Sequence, residues 1–298
     1  MMHPSMWTSY LAEWMPEQMV RCFAEHGWRT LELSDEHGHD LLRAGGPVNV
    51  GRDFQRFAAD HGLAFPQGHF YLCTKGIRAG DREGRRVADV APADDADFAR
   101  AMDDMKRWVD LFSALGVQAG VLHLGGTELA ASGWSEDRIF ARRVDALSRI
   151  AAYARGGPVR ICIENMPAPE SGVRTAVEIL RYLDAVGADN LGICLDTGHA
   201  NLVPVDIPAF IRTAGSRLHA LHVADNLGAA DDHLLPYGRG TVPWTPVLEA
   251  LRETGYAGLF NFEVPGENRC PRPVRLAKLE YALKLARIMI AGTNSRRT

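Results

Sequence analysis

Apolar and polar positions along the chain repeat one pattern: a stretch with helical spacing, a glycine, then a short apolar run. The spacing predicts helices over residues 16–26, 53–61, 96–115, 136–154, 175–186, 207–214, 246–254 and 274–290. Gly27, Gly62, Gly116, Gly156, Gly187, Gly215 and Gly255 fall where helices end, in the place of a left-handed C-cap. The apolar runs TLEL, LAFPQGH, AGVLHL, VRICIE, LGICLD, LHALHV and LFNFEV, with an opening strand over residues 3–7, make eight strands. Strands alternating with helices imply an α/β fold with right-handed crossovers and a parallel sheet. Eight such units in 298 residues imply a single (β/α)8 TIM barrel. An open doubly wound sheet lacks its marker, because no G-x-G-x-x-G separates the first strand from the first helix. No linker or low-complexity tract divides the chain, so residues 1–298 read as one domain.

Four of the apolar runs finish on a metal-ligating side chain: Glu164, Asp196, His222 and Glu263. Each is followed by a loop and a helical stretch, so all four belong to the same rim of a barrel. Carboxylates gathered in a partly buried mouth repel one another unless protons or a cation compensate. Together with an imidazole they make an oxygen-rich set for one divalent metal such as Mn2+, Mg2+, Co2+ or Zn2+. Strand alternation supports this placement. The period that turns Glu164, Asp196 and His222 inward also turns in the small Cys162, Cys194, Gly192 and Ala220. It sends Ile161, Ile163, Ile193, Leu195, Leu221, Val223, Phe260 and Phe262 outward, under the helices.

A second layer of candidates surrounds the first. His69 follows strand three, His123 lies in strand four, His199 stands three residues after Asp196, and Asp231 and His233 share the loop after His222. These side chains can ligate further metal, or hydrogen-bond the carboxylates and the hydroxyls of a substrate. Glu32, in an apolar strand, is expected to pair with a cation or a substrate group. His37 and His39 are assigned to a solvated loop, and His219 to the outward face of its strand.

Composition narrows the function classes. With 46% apolar and 23% charged residues the chain reads as globular, and a net charge of −4 argues against nucleic acid as a partner. No run approaches the roughly 18 apolar residues of a membrane span. The first residues lack the pattern of a secretory signal, and five scattered cysteines form neither a C-x-x-C pair nor a disulfide framework. A cytoplasmic location is expected. The longest irregular stretch, residues 70–95, carries five basic residues (Lys75, Arg78, Arg82, Arg85, Arg86) against five acidic ones (Asp81, Glu83, Asp89, Asp94, Asp95). This neutral balance suits a lid over a small substrate better than a DNA clamp.

The segments VLHLGG, ICIENMP, GICLDTGHANL, HALHVADN, DDHLLPYGRGTVPW and FNFEVPGE resemble, in this order, the xylose-isomerase-like barrel superfamily of sugar isomerases and epimerases. Endonuclease IV belongs to the same superfamily. The resemblance is strong over residues 120–267 and rests on the strand–helix rhythm before that. It implies that Glu164, Asp196, His222 and Glu263 bind one divalent metal, and that Glu164 and Glu263 exchange protons with the substrate. From the endonuclease branch it implies additional zinc ions, held through His69, His123, His199, Asp231 and His233.

The leading expectation is therefore a metal-dependent isomerase or epimerase of a sugar, keto-sugar or polyol, working through a metal-stabilised enediolate. His199 and Arg239 would hold substrate oxygens, and Trp7, Phe70 or Trp244 would supply an apolar wall. Dehydration, or cleavage of a carbon–glycoside bond in a 3-keto sugar, begins with the same proton abstraction and is one alternative. An endonuclease IV-like multi-zinc phosphodiesterase is the other. The superfamily contains monomers, dimers and tetramers, so a homo-oligomer is compatible with the resemblance.

Overall fold

The computed structural model describes residues 1–78, 83–125, 127–265 and 270–292. Asp81 and Arg82 of the neutral stretch lie outside the described residues, as do Gly126, Gly266 and Glu267 of the resembling segments. The chain runs β1 (His3–Met6), α1 (Pro16–Glu25), β2 (Thr30–Leu33), α2 (Asp35–Ala44), α3 (Pro47–Asp60), β3 (Ala64–His69), α4 (Asp95–Leu115), β4 (Ala119–Leu122) and the short α5 (Thr127–Ala130). It continues with α6 (Glu136–Ala154), β5 (Arg160–Glu164), α7 (Ala176–Val186), β6 (Leu191–Asp196), the short α8 (Thr197–Asn201), α9 (Ile207–Ala214), β7 (Leu218–Val223), α10 (Trp244–Glu253), β8 (Leu259–Phe262) and α11 (Arg272–Ala291).

All neighbouring strands pair in parallel, in the order β1-β8-β7-β6-β5-β4-β3-β2. The seam between β1 and β2 is drawn together by a parallel bridge from Trp7 to Glu32 and by the Thr30 hydroxyl, which donates to the Pro4 carbonyl at 2.7 Å. The Ser34 amide then donates to Thr8 Oγ1 at 2.8 Å, just above the seam. The result is the expected (β/α)8 barrel. Its interior is a small cluster of Ala119, Val121, Cys162, Cys194 and Ala220, while Ile161, Ile163, Ile193, Leu195, Leu221, Val223, Phe260 and Phe262 join the larger core beneath the helices. The alternation read from the strands therefore holds on both faces.

Local chemistry sets the helix ends. In α7 the Thr175 hydroxyl accepts from the Glu178 amide at 3.2 Å and the Glu178 carboxylate accepts from the Thr175 amide at 2.8 Å, a reciprocal cap. In α4 the Asp94 side chain accepts from the amides of Ala96 and Asp97, both at 2.9 Å.

Three readings need correction. First, Asp35–Ala44 is a helix rather than a solvated loop, and His37 is buried within it. The His37 ring sits 3.0 Å from Thr8 Oγ1 and 3.2 Å from both Ser34 Oγ and the Trp14 carbonyl. His39 Nε2 lies 2.9 Å from the Cys73 carbonyl. Second, α3 starts at Pro47, six residues before the expected Asp53, with proline at its first position. Third, the β6–β7 register slips between Ile193 and Cys194. That slip turns His219 towards Gly192 at the N-terminal mouth of the barrel, where it lines a cavity instead of facing the helices.

The neutral stretch after β3 is folded back on itself. Cys73 and Val87 form an antiparallel bridge, the Thr74 amide donates to the Arg86 carbonyl at 2.9 Å, and Arg78 pairs with Asp40 of α2 at 2.5 Å.

Candidate metal centre

β5, β6, β7 and β8 carry their terminal polar side chains to one point at the C-terminal rim. Ligand atoms of Glu164, Asp196, His222 and Glu263 all lie within 4.8 Å of one another, and all four residues are buried. His222 Nδ1 is 3.2 Å from Glu164 Oε1, 3.3 Å from Glu263 Oε2 and 3.9 Å from Asp196 Oδ2.

Glu164 is the hub of a wider constellation. Its Oε1 is also 3.2 Å from His199 Nδ1. Its Oε2 is 3.2 Å from His69 Nε2 and 3.0 Å from His123 Nε2. On the far side Asp231 Oδ2 lies between His199 Nε2, at 3.2 Å, and His233 Nε2, at 3.1 Å. His233 Nδ1 returns to Glu263, 3.8 Å from its Oε2 and 2.9 Å from its carbonyl. The structure thus gathers Glu164, Asp196, His222, Glu263, His69, His123, His199, Asp231 and His233 into one continuous network. Arg239 is exposed and lines a cavity of about 530 Å³ that it shares with His233.

Two of the expected wall residues lie elsewhere. Phe70 packs on Phe112 of α4 with ring centroids 4.7 Å apart. The Trp244 indole donates to Asp225 Oδ2 at 2.7 Å, inside the buried core. Both side chains belong to the shell between strands and helices.

Electrostatics reflect five imidazoles packed among four carboxylates. Burial pushes the Asp196 carboxyl up to about 8; His199 opposes this, and the charges of Glu263 and Glu164 add to it. Burial also opposes ionisation of Glu164, yet His222 and His123 outweigh it and hold the group well below the usual carboxylate range. Glu263 is drawn down to about 2 against its burial, chiefly by His222. Burial disfavours the charged imidazoles, but hydrogen bonds and carboxylate charges raise His69 to about 9 and His233 to about 10. In the absence of a cation the carboxylates therefore recruit protons onto His69, His199, His222 and His233, while burial holds His123 below the usual imidazole range.

The donor set fits a divalent cation. Among the described residues Asp196 Oδ2 and Glu263 Oε2 are buried without a well-directed hydrogen-bond donor, although the His222 ring stands 3.3 Å from the latter. Orphaned buried carboxylate oxygens are costly unless a positive charge faces them.

Residues that the sequence did not single out position this centre. Asn165, directly after Glu164, donates from Nδ2 to the Asp196 carbonyl at 3.0 Å and accepts the Asp196 amide at 2.7 Å. Its own carbonyl is 2.9 Å from His199 Nδ1. The His199 amide donates to Asp196 Oδ1 at 2.6 Å, so Asp196 caps α8 while its other oxygen faces the centre. Asp225 ties down the loop that carries Asp231 and His233, accepting from the Asn226 and Val242 amides at 2.9 and 3.0 Å. The adjacency of Asn165 to Glu164 was the only sequence signal for any of these.

Comparison with known proteins follows the same lines. Residues 20–287 match the family model described as xylose isomerase-like TIM barrel. An uncharacterized protein of Sinorhizobium fredii, y4fM, is 30% identical over 259 residues, covering 81% of this chain and 78% of that protein. The L-ribulose 3-epimerase of Mesorhizobium japonicum is 30% identical over 179 residues, covering 59% of this chain and 57% of that enzyme. The crystal structure of D-psicose 3-epimerase from Clostridium cellulolyticum H10 with D-tagatose superimposes with a TM-score of 0.77 at 19% identity, covering 97% of this chain and 99% of that one.

Proposed function

Because the chain belongs to the xylose isomerase-like TIM barrel family, we propose that it is a divalent-metal-dependent sugar isomerase or epimerase. The observation that carries the reading is the convergence of Glu164, Asp196, His222 and Glu263 within 4.8 Å, with two buried carboxylate oxygens that have no well-directed donor among the described residues. The ketose 3-epimerase names of the relatives support the substrate class.

Bound there, a divalent cation would polarise the substrate carbonyl and stabilise the negative charge that develops on it. Asp196 and His222 would hold that ion throughout. Glu164 or Glu263 would take the proton from the carbon next to the carbonyl, and the other would return one from the opposite side. Return to the same carbon inverts it; return to its neighbour converts ketose and aldose. His199 and Arg239 would hold substrate hydroxyls. The same first step would also serve dehydration or lyase chemistry on a 3-keto sugar.

Metal-loaded protein in D2O should incorporate solvent deuterium beside the carbonyl of L-ribulose, D-psicose, D-fructose or D-tagatose. Glu164→Gln and Glu263→Gln, each measured at metal concentrations that saturate the variant, should abolish this exchange. Exchange at the wild-type rate in either variant would remove the acid–base assignment.

A second reading, a multi-zinc phosphodiesterase, is favoured by one observation. His69 and His123 converge on Glu164 as a further ligand group, and His199, Asp231 and His233 form a chain of contacts at 3.1–3.2 Å. About one divalent ion per chain supports sugar chemistry; three zinc ions per chain support the phosphodiesterase.

A further inference from the structure

Glu32 is fully buried in β2, which stands opposite β6 in the strand order of the barrel. It is shielded from solvent, and no lysine or arginine among the described residues hydrogen-bonds it. Instead, Gln67 Nε2 from β3 donates to Oε1 at 3.0 Å, and Asn261 Nδ2 from β8 donates to Oε2 at 2.5 Å. His222 Nε2 lies 3.0 Å from Oε1, while the same ring's Nδ1 faces Glu164, Asp196 and Glu263. Gln67 and Asn261 place one amide donor on each oxygen, an arrangement that favours Glu32 as an acceptor towards His222. The nitrogen of His222 that meets it then carries hydrogen, and the other, which faces the carboxylates of the centre, is the one that would give up its proton to ligate a cation.

We propose that Glu32 is a positioning residue for the metal centre: clamped by Gln67 and Asn261, it fixes His222 as the tautomer that ligates through Nδ1. A carboxylate behind a ligating imidazole orients the ring and raises its basicity, and losing such a partner typically weakens metal binding by about 10- to 100-fold. The pair also explains how an isolated acid can sit in an apolar strand: its hydrogen-bond partners come from three other strands. The inference rests on reading the strand-end cluster as a cation site.

The test is a Co2+ titration of metal-stripped protein, read by visible absorption, with thermal unfolding of the metal-free form measured alongside. Glu32→Gln should weaken Co2+ binding about 10-fold or more while the metal-free protein still unfolds cooperatively. Gln67→Leu, which loosens one side of the clamp, should weaken it by less and serves if the first variant does not fold. In zinc-loaded protein with 15N-labelled histidine, His222 should show hydrogen on Nε2 and metal on Nδ1. Unchanged Co2+ affinity in folded Glu32→Gln, or zinc on Nε2, would overturn the positioning role. Failure of the wild-type protein to bind Co2+ at all would instead remove the metal reading beneath it.

Discussion

Replacing Glu164 by glutamine removes one negative charge from the point where four imidazole nitrogens meet. The glutamine keeps the shape and one acceptor oxygen, but its amide nitrogen must face either the His69–His123 pair or the His199–His222 pair, all at 3.0–3.2 Å from the native oxygens. Removing one partner from a buried, charge-assisted arrangement costs about 3–5 kcal/mol. A bound cation facing the lost charge would experience a comparable penalty, and at about 1.4 kcal/mol per factor of ten this corresponds to roughly 10²- to 10⁴-fold weaker binding. Calorimetric titration with Mn2+ at pH 8.5 measures the change directly, with circular dichroism to show that the variant is folded. Affinity within threefold of wild type in a folded variant would refute the view that Glu164 is the hub of a cation site.

Two further outcomes follow from the geometry. In the metal-free protein Asp196 holds its proton up to about pH 8. Its folded value lies above its unfolded one, so the proton is retained below that pH and a binding cation must displace it. Mn2+ affinity should therefore fall at least about tenfold per pH unit on acidification below pH 8, because the His222 imidazole, itself raised, must also lose a proton to ligate, and a flat profile between pH 6 and 8 would contradict the assignment. Gly38 lies inside α2 against the Trp108 ring, where a Cβ would overlap the indole. Glycine to alanine in a helix ordinarily stabilises by about 1 kcal/mol, whereas Gly38→Ala should destabilise by about 1–3 kcal/mol through overpacking. Urea unfolding decides the sign.

The parts of the molecule legible in the sequence were those governed by short periods. Period-two alternation in β5, β6 and β7 separated Cys162, Cys194 and Ala220 from the large outward residues, and it placed Glu164, Asp196 and His222 on one rim. Interactions that cross the barrel left no such trace. Glu32 was expected to meet a cation or a substrate; the His222 imidazole is such a partner, but that it and the amides of Gln67 and Asn261 would meet Glu32 could not be read from strands so far apart in the chain. The helix over Asp35–Ala44 was hidden because two histidines, a glycine and three acidic residues look solvated. Packing decides otherwise: Trp108 fills the space above Gly38, and Thr8, Ser34 and the Trp14 carbonyl surround the ring of His37. His219 was misplaced because alternation presumes an unbroken register, which the slip beside Ile193 interrupts.

The account stands on a cation held between four strand ends. Anomalous diffraction from crystals soaked in Mn2+ examines that claim with no assumption about the substrate. It should give a peak within coordination distance of Glu164, Asp196, His222 and Glu263. Well-ordered side chains at those positions with no anomalous density between them, at saturating Mn2+ and pH 8.5, would contradict it.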